Sequence, residues 1–263
     1  MGREGWNPDE YARFADARRR PFFDLVSLVE PVDAPRVLDV GCGSGVLTAE
    51  AHRLLGAATT LGLDSSPAML GSARPEGVEL RQASIPADLP KGPFDVILSN
   101  SALNWVDDHA QVFAALTQSL AQKGQLAVQL PSNPESAFSR CCEATARRFG
   151  GELGGFVYRS PVATPEFYSA LLERLGFERQ RVGTWYYPQR HADVAGIVAF
   201  ARGGLLSPYR ARLGDERFEA FVTEYTAALR RELGDGPVFF PLRRSSSSAD
   251  GEGSGLGEEV RPR

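Results

Sequence analysis

An alternating series of glycines follows a short apolar stretch of the chain. That stretch, Arg36–Val40, contains a single carboxylate, Asp39, and the glycines directly after it are Gly41, Gly43 and Gly45. Glycine has no Cβ atom, so the backbone of such a turn can approach a bound molecule closely. A helical pattern begins near Val46, and the N–H groups at its start point towards whatever lies over the turn. These residues predict a ligand site at the end of a strand.

A second carboxylate, Asp64, ends the next apolar stretch, Thr59–Leu63. It follows the first glycine at about the 20-residue offset at which a carboxylate meets ribose hydroxyls in strand–helix–strand nucleotide sites. A glycine turn alone is a weak signal, and a purely structural turn is the alternative interpretation of it. The turn together with the two carboxylates predicts a cofactor that contains a nucleotide.

The spacing of the glycines and the position of Asp39 distinguish between two such cofactors. The dinucleotide fingerprint G-x-G-x-x-G requires a glycine where this chain has Val46. A carboxylate at Asp39 would repel a pyrophosphate, whereas it attracts the ammonium group of the methionine moiety of S-adenosylmethionine. The residues therefore favour S-adenosylmethionine over NAD.

The glycine turn belongs to an alternating series of strands and helices. Strands are expected over residues 36–40, 59–63, 78–82, 94–99, 124–129, 177–187 and 237–244. Helices are expected over 7–29 (broken at Pro21), 46 onward, 109–120, 135–149, 164–176 and most of 193–233. This alternation predicts an α/β fold, Rossmann-like and doubly wound. Its sheet would have seven mostly parallel strands with helices on both faces, and its ligands would lie beyond the carboxyl ends of the strands.

The domain organisation follows from the same pattern. We expect one domain over residues 1–244, with a helical lid at 1–30 and a helical substrate cap inserted at 189–236. Residues 245–263 begin with four serines and contain few apolar side chains, so we expect a disordered tail there.

The composition excludes several classes of protein. Hydrophobic residues make up 43% and charged residues 24%, and the formal net charge of −4 argues against a general nucleic-acid binder. The N-terminus lacks the apolar core of a signal peptide, and no apolar run has transmembrane length. Three cysteines provide no disulfide framework. We expect a cytoplasmic protein, a monomer or weak homodimer, without nucleic-acid or membrane partners and without a metal site.

Five segments of the chain resemble a known family. They are WNPDEYARFADARRRP at the N-terminus, VLDVGCGSG with LDSSPAML, FDVILSNSALNWVDDH, and GQLAVQLPSN. Together they resemble the class I S-adenosylmethionine-dependent methyltransferases and, within them, the trans-aconitate methyltransferase family. The resemblance extends from residue 6 to about residue 244 and is weaker after residue 131.

The resemblance implies a role for particular residues. S-adenosylmethionine would be bound by Asp39, Gly41, Cys42, Gly43, Gly45, Asp64, Ser65, Met69, Ser84, Ile85, Asn100 and Ser101. The small-molecule acceptor would contact Tyr11, Arg18, Asn104 and Trp105. Ser84 and Ile85 occupy the place where many such enzymes have an aspartate for the adenine amino group. No catalytic base is identified.

The acceptor is expected to be a small carboxylic acid, methylated on oxygen. The chain has three histidines and no evident base, which an ionised carboxylate does not need. The segment Gly204–Pro208 lacks the arginine of the family's G-L-R-P sequence, so trans-aconitate itself is expected to be a poor acceptor. Two alternatives remain open: an O-, N- or C-methyltransferase of specialised metabolism with an apolar acceptor, and a non-catalytic S-adenosylmethionine-binding protein.

Overall fold

The structure, a computed structural model, describes residues 15–73 and 75–251, with side chains from residue 19. The chain divides into two compact units. The unit we call the sheet unit comprises the described residues of Pro21–Leu130 and Pro161–Thr184 and those from Ser245 onward. The unit we call the helical unit comprises the described residues up to Arg20, Pro131–Ser160 and Trp185–Arg244.

The described chain contains a seven-stranded mixed sheet. Its strands are β1 (Arg36–Val40), β2 (Thr59–Asp64), β3 (Glu79–Gln82), β4 (Phe94–Asn100), β5 (Leu120–Pro131), β6 (Arg179–His191) and β7 (Val238–Asp250). The strand order is β3-β2-β1-β4-β5-β7-β6, and the neighbours from β3 to β5 are parallel. The predicted mostly parallel, seven-stranded α/β sheet is confirmed. The part of β6 from Trp185 onward and the part of β7 up to Arg244 belong to the helical unit.

Helices cover both faces of the sheet unit. They are α1 (Ala15–Val26), α2 (Val46–Leu54), α3 (Pro67–Gly71), α4 (His109–Gln118) and α6 (Pro165–Arg174). Adjacent residues of one strand join different clusters: Leu98 packs with α1 and α2, whereas Ile97 packs with α4 and α6. Since successive strand side chains point to opposite faces, a strand covered on both faces must be apolar throughout, as β4 is.

The helical unit has its own core. Its helices are α5 (Ala137–Arg148), α7 (Val194–Arg202) and α8 (Ser207–Leu233), and α8 is kinked at Gly214, whose φ is 70°. The gap between α7 and α8 contains Gly203 and Gly204. Buried aromatic side chains dominate this core, among them Phe138, Tyr209, Phe218, Phe221 and Tyr225. No described helix of either unit has the length and apolar character of a membrane span.

The prediction of a disordered tail is wrong for residues 245–250. Strand β7 runs through the four serines and ends at Asp250, and Ser245–Ser248 are between 3% and 8% exposed. Ser248 Oγ donates a hydrogen bond to Leu28 O at 3.2 Å, and Ala249 lies in the core of the sheet unit. A count of apolar side chains misses this strand. Small polar side chains can be buried in a strand whose backbone groups bond to the neighbouring strands. Residues 252–263 lie outside the described part.

The expected break at Pro21 is also absent, since α1 continues through it to Val26. Proline within a helix removes one backbone hydrogen bond and costs about 3 kcal/mol. Directly after it, Phe22 and Leu25 are each 1% exposed and pack against the sheet. Burial of two such side chains yields about 3–6 kcal/mol, enough to offset the proline.

Candidate active site

The glycine turn requires glycine for its backbone and for its packing. The φ angles of Gly41, Gly43 and Gly45 are 81°, 60° and 77°, in the left-handed region. The N–H groups of Gly41 and Cys42 both donate to Leu63 O, at 2.7 and 2.9 Å, which ties the turn to the end of β2. A Cβ atom added to Gly41 would lie 2.0 Å from Ala102 Cβ. The turn therefore lies directly against the chain that follows β4.

The carboxylate of Asp64 is held in place by backbone donors. Its Oδ2 accepts from Gly43 N at 3.0 Å and its Oδ1 accepts from Ser66 N at 2.8 Å, and the residue is 4% exposed. A carboxylate oxygen has two lone pairs and can accept more than one hydrogen bond. Met69 lies beside the turn, with its Cε 3.1 Å from where a Cβ of Gly43 would be. Asp64, Ser65 and Met69 thus lie at the end of β2 or in the first residues after it.

Asp39 is a buried carboxylate beside the turn. It is 3% exposed, and Thr48 of α2 donates a hydrogen bond to its Oδ2 at 2.6 Å. Burial raises the pKa of Asp39 from 3.8 to about 6; the Thr48 bond lowers that pKa, and the charge of Asp64 raises it. A bound cation would stabilise the charged form of this group.

The chain after β4 forms a tight turn. Ser101 has a φ of 58° and its N–H donates to Gln129 O at 2.8 Å. With its amide oriented to suit the neighbouring groups, Asn104, 5% exposed, donates to Ser101 O at 2.9 Å and accepts from Trp105 Nε1 at 3.0 Å. Asn104, predicted as an acceptor contact, therefore holds the turn and the Trp105 ring in position. This geometry supports a positioning role for it.

The remaining predicted residues have other surroundings or lie outside the described residues. Ser84 is exposed after β3, with its N–H donating to Asp88 Oδ2 at 2.9 Å, and Ile85 packs partly into the core. The Cys42 thiol lies against Gly62 of β2, so its contribution is to pack the turn. Tyr11 and the side chain of Arg18 lie outside the described residues.

Two buried residues of the site were missed by sequence reasoning. Thr48 is fully buried and bonds to Asp39. Gln129, also fully buried, stands beside Asn100 in the register of β5 and β4. The available signal for Gln129 was one polar residue within an otherwise apolar run, LAVQLP.

Neither histidine of the sheet unit is placed to act as a base. His109 Nε2 donates to Leu103 O at 3.0 Å, and its Nδ1 accepts from Tyr168 Oη at 2.5 Å. Burial lowers the pKa of His109 and keeps the ring neutral. His52, on α2, pairs its Nδ1 with Thr60 Oγ1 at 2.9 Å. Both imidazoles therefore have structural partners.

Comparison with known proteins shows the family. The family described as "Methyltransferase domain" matches residues 32–164. Trans-aconitate 2-methyltransferase of Deinococcus radiodurans is 37% identical over 246 residues, which cover 91% of this chain and 95% of that protein. The protein of the same name from Mycobacterium sp. (strain KMS) is 35% identical over 247 residues, covering 91% and 96%.

Solved structures share the fold. The YcgJ protein of Bacillus subtilis superimposes with a TM-score of 0.58 at 18% identity, covering 89% of this chain and 98% of that one. Phosphoethanolamine N-methyltransferase 2 of Haemonchus contortus, solved with S-adenosyl-L-methionine, gives a TM-score of 0.55 at 15% identity, covering 88% of this chain and 52% of that one.

The site fits S-adenosylmethionine. The glycine turn has no side chains at Gly41, Gly43 and Gly45, so the methionine part can approach its backbone closely. The Asp64 carboxylate lies at the end of β2, where a carboxylate can accept from ribose hydroxyls, and the buried charge of Asp39 suits the cofactor's ammonium group. The chain belongs to the S-adenosylmethionine-dependent methyltransferases and, within them, to the family of the trans-aconitate 2-methyltransferases.

Proposed function

We propose that this enzyme methylates a carboxylate oxygen of a small carboxylic acid similar to trans-aconitate. The observation that carries the proposal is the similarity to relatives named trans-aconitate 2-methyltransferase, which extends over 91% of the chain. An acceptor of this class needs binding and orientation more than it needs chemical activation.

The placement of the histidines supports this class of acceptor. A carboxylate is already ionised at neutral pH and attacks without a base, whereas a phenol or an amine must first lose a proton. In the sheet unit, which holds the predicted cofactor residues, His52 and His109 are engaged by Thr60, Tyr168 and the Leu103 carbonyl. Neither ring serves as that base.

We assign the residue roles as follows. Bound S-adenosylmethionine supplies a methyl carbon activated by the neighbouring sulfonium. Asp39 and the glycine turn hold the methionine part, Asp64 receives the ribose hydroxyls, and Ser101 lies beside the methyl group. The adenosine contacts are Ser65, Met69, Ser84 and Ile85, and the acceptor contacts are Tyr11, Arg18 and Trp105. Exclusion of water and alignment of the acceptor oxygen with the methyl group then account for the rate.

Two arginines of the helical unit already have carboxylate partners. Arg202 pairs with Glu219 at 2.5 Å, and Arg210 pairs with Asp215 at 3.0 Å. The charges of these two arginines are already balanced within that unit. We favour Arg18, which the family resemblance implies, as the contact for an acceptor carboxylate. Leu206, in the segment that lacks the family's arginine, is fully buried in the core of the helical unit. We therefore expect an acid other than trans-aconitate to be preferred.

The roles of the two accessory segments, the localisation and the partners are proposed from the sequence. Residues 1–30 act as a lid and 189–236 as a substrate cap. The enzyme works in the cytoplasm as a monomer or weak homodimer, and neither nucleic acid nor membrane takes part.

The test is a methyl-transfer assay with an acceptor panel. The panel holds trans-aconitate, cis-aconitate, succinate and a phenol, and the product is treated with mild alkali, which hydrolyses a methyl ester but leaves a methyl ether intact. We expect alkali-labile product from one of the acids and a rate that is nearly flat from about pH 6 to 9, because carboxylates ionise near pH 4. Alkali-stable product, or a rate that rises tenfold per pH unit, would contradict a carboxylate acceptor.

A further inference from the structure

Three acceptor side chains share one face of the sheet at the carboxyl ends of neighbouring strands. Asp39 of β1 stands opposite Leu98 of β4, and Asn100 of β4 stands opposite Gln129 of β5. Partners in register point to the same face, and side chains two residues apart along one strand do so too. Asp39, Asn100 and Gln129 therefore lie on the face covered by α1 and α2, in three strands that are consecutive across the sheet.

Two of these side chains carry buried oxygens that have no hydrogen-bond partner among the described residues. They are Asn100 Oδ1 and Gln129 Oε1. The orientation of the Gln129 amide is determined, because its Nε2 donates to Pro21 O at 2.7 Å and a carbonyl oxygen can only accept. Its oxygen is thus the atom left without a partner, in a residue that is fully buried. A buried acceptor without a donor is costly, so the pair calls for a ligand that donates.

The chemistry of the cluster defines that ligand. A carboxylate and two amide oxygens offer one negative charge and several lone pairs, and a carboxylate ligand has no donor to bring to them. A hydroxyl group brings one donor and no charge, whereas an ammonium group brings three N–H donors and a positive charge. We infer that Asp39, Asn100 and Gln129 form the subsite for the ammonium group of the methionine moiety of S-adenosylmethionine. The subsite rests on the cofactor, not on the identity of the acceptor.

The chain provides a matched control for Gln129. Gln125 lies four residues earlier on the same strand and face, and its amide bonds completely to the backbone of Glu30. Its Oε1 accepts from Glu30 N at 2.7 Å and its Nε2 donates to Glu30 O at 2.9 Å. Both glutamines thus tie the sheet to α1 or to the chain just after it, but only Gln129 has an unpartnered oxygen within the described part. Loss of Gln125 removes the anchoring function alone.

The experiment is calorimetric titration of the full-length protein with two ligands. One is S-adenosylhomocysteine; the other is its deaminated analogue, which keeps the carboxylate and the thioether but lacks the ammonium group. In Gln129→Met we expect the affinity for S-adenosylhomocysteine to fall about tenfold or more, the scale of a lost hydrogen bond to a charged group. The affinity for the analogue should change by less than about twofold. Gln125→Met should leave both affinities unchanged.

A second variant tests the same subsite if Gln129→Met fails to fold. Asn100→Ala removes an oxygen that bonds to no described residue, and it should show the same selective loss for S-adenosylhomocysteine. Equal losses for both ligands would show that Gln129 only anchors α1, and unchanged affinities would likewise overturn the subsite. Since no acceptor is present in the titration, its outcome is separate from that of the acceptor panel.

Discussion

Replacement of Asp39 by asparagine should stabilise the free protein and weaken cofactor binding. Burial raises the pKa of Asp39 from 3.8 to about 6, and a difference of about two units corresponds to about 3 kcal/mol. The folded state binds this proton more tightly than the unfolded state does. The charged carboxylate therefore lowers the stability above the folded pKa, and this cost disappears as the pH falls towards the unfolded pKa.

Asparagine keeps the local hydrogen bond, because its Oδ1 can accept from Thr48 Oγ1 as the carboxylate does. The free energy of unfolding, measured with urea and without cofactor, should rise by about 3 kcal/mol near pH 8 and by about half as much near pH 5. The control is Asp33→Asn at an exposed position, expected to change stability by less than about 0.5 kcal/mol. S-adenosylmethionine should bind more weakly, by about 1.5–3 kcal/mol, since the charge facing its ammonium group is lost.

A rise in stability together with a loss of cofactor affinity is what we expect when a buried carboxylate that binds the cofactor is replaced. An Asp39→Asn protein that is less stable near pH 8, or that gains equally at both pH values, would refute the burial argument. An unchanged affinity would refute the assignment of the carboxylate to the cofactor.

Two further predictions concern the turn and the last strand. Gly41→Ala should cost at least about 2 kcal/mol of unfolding free energy and abolish cofactor binding in a titration, because its Cβ would meet Ala102 Cβ at 2.0 Å. Gly56→Ala, where φ is 59° and no atom lies within 4 Å, is the control and should cost only about 1–2 kcal/mol. Deletion from Ser245 should lower the melting temperature by several degrees, whereas deletion after Gly251 leaves β7 intact; equal melting temperatures for the two truncations would show that the end of β7 contributes nothing.

Much of the sheet could be predicted because its signals are local. The run Phe94–Asn100 is apolar almost throughout, which is typical of a strand covered on both faces. The glycines of the turn need only the few residues around them to fold, and Gly41 and Gly43 have positive φ angles in the structure. Ends of elements were less accurate: β5 begins at Leu120 rather than at residue 124, since strand pairing decides where a strand starts.

By itself the sequence determined the strand, turn and helix that carry Asp39 and the second strand that carries Asp64, because fixed spacing along one chain places these groups. Only the tertiary structure decided which distant residues join them. The pairing of Asn100 with Gln129 depends on the register of two strands separated by a helix, and the burial of Ser245–Ser248 depends on the neighbours of β7 in the sheet. Such contacts arise from the packing of segments remote in sequence, so no pattern of nearby residues encodes them.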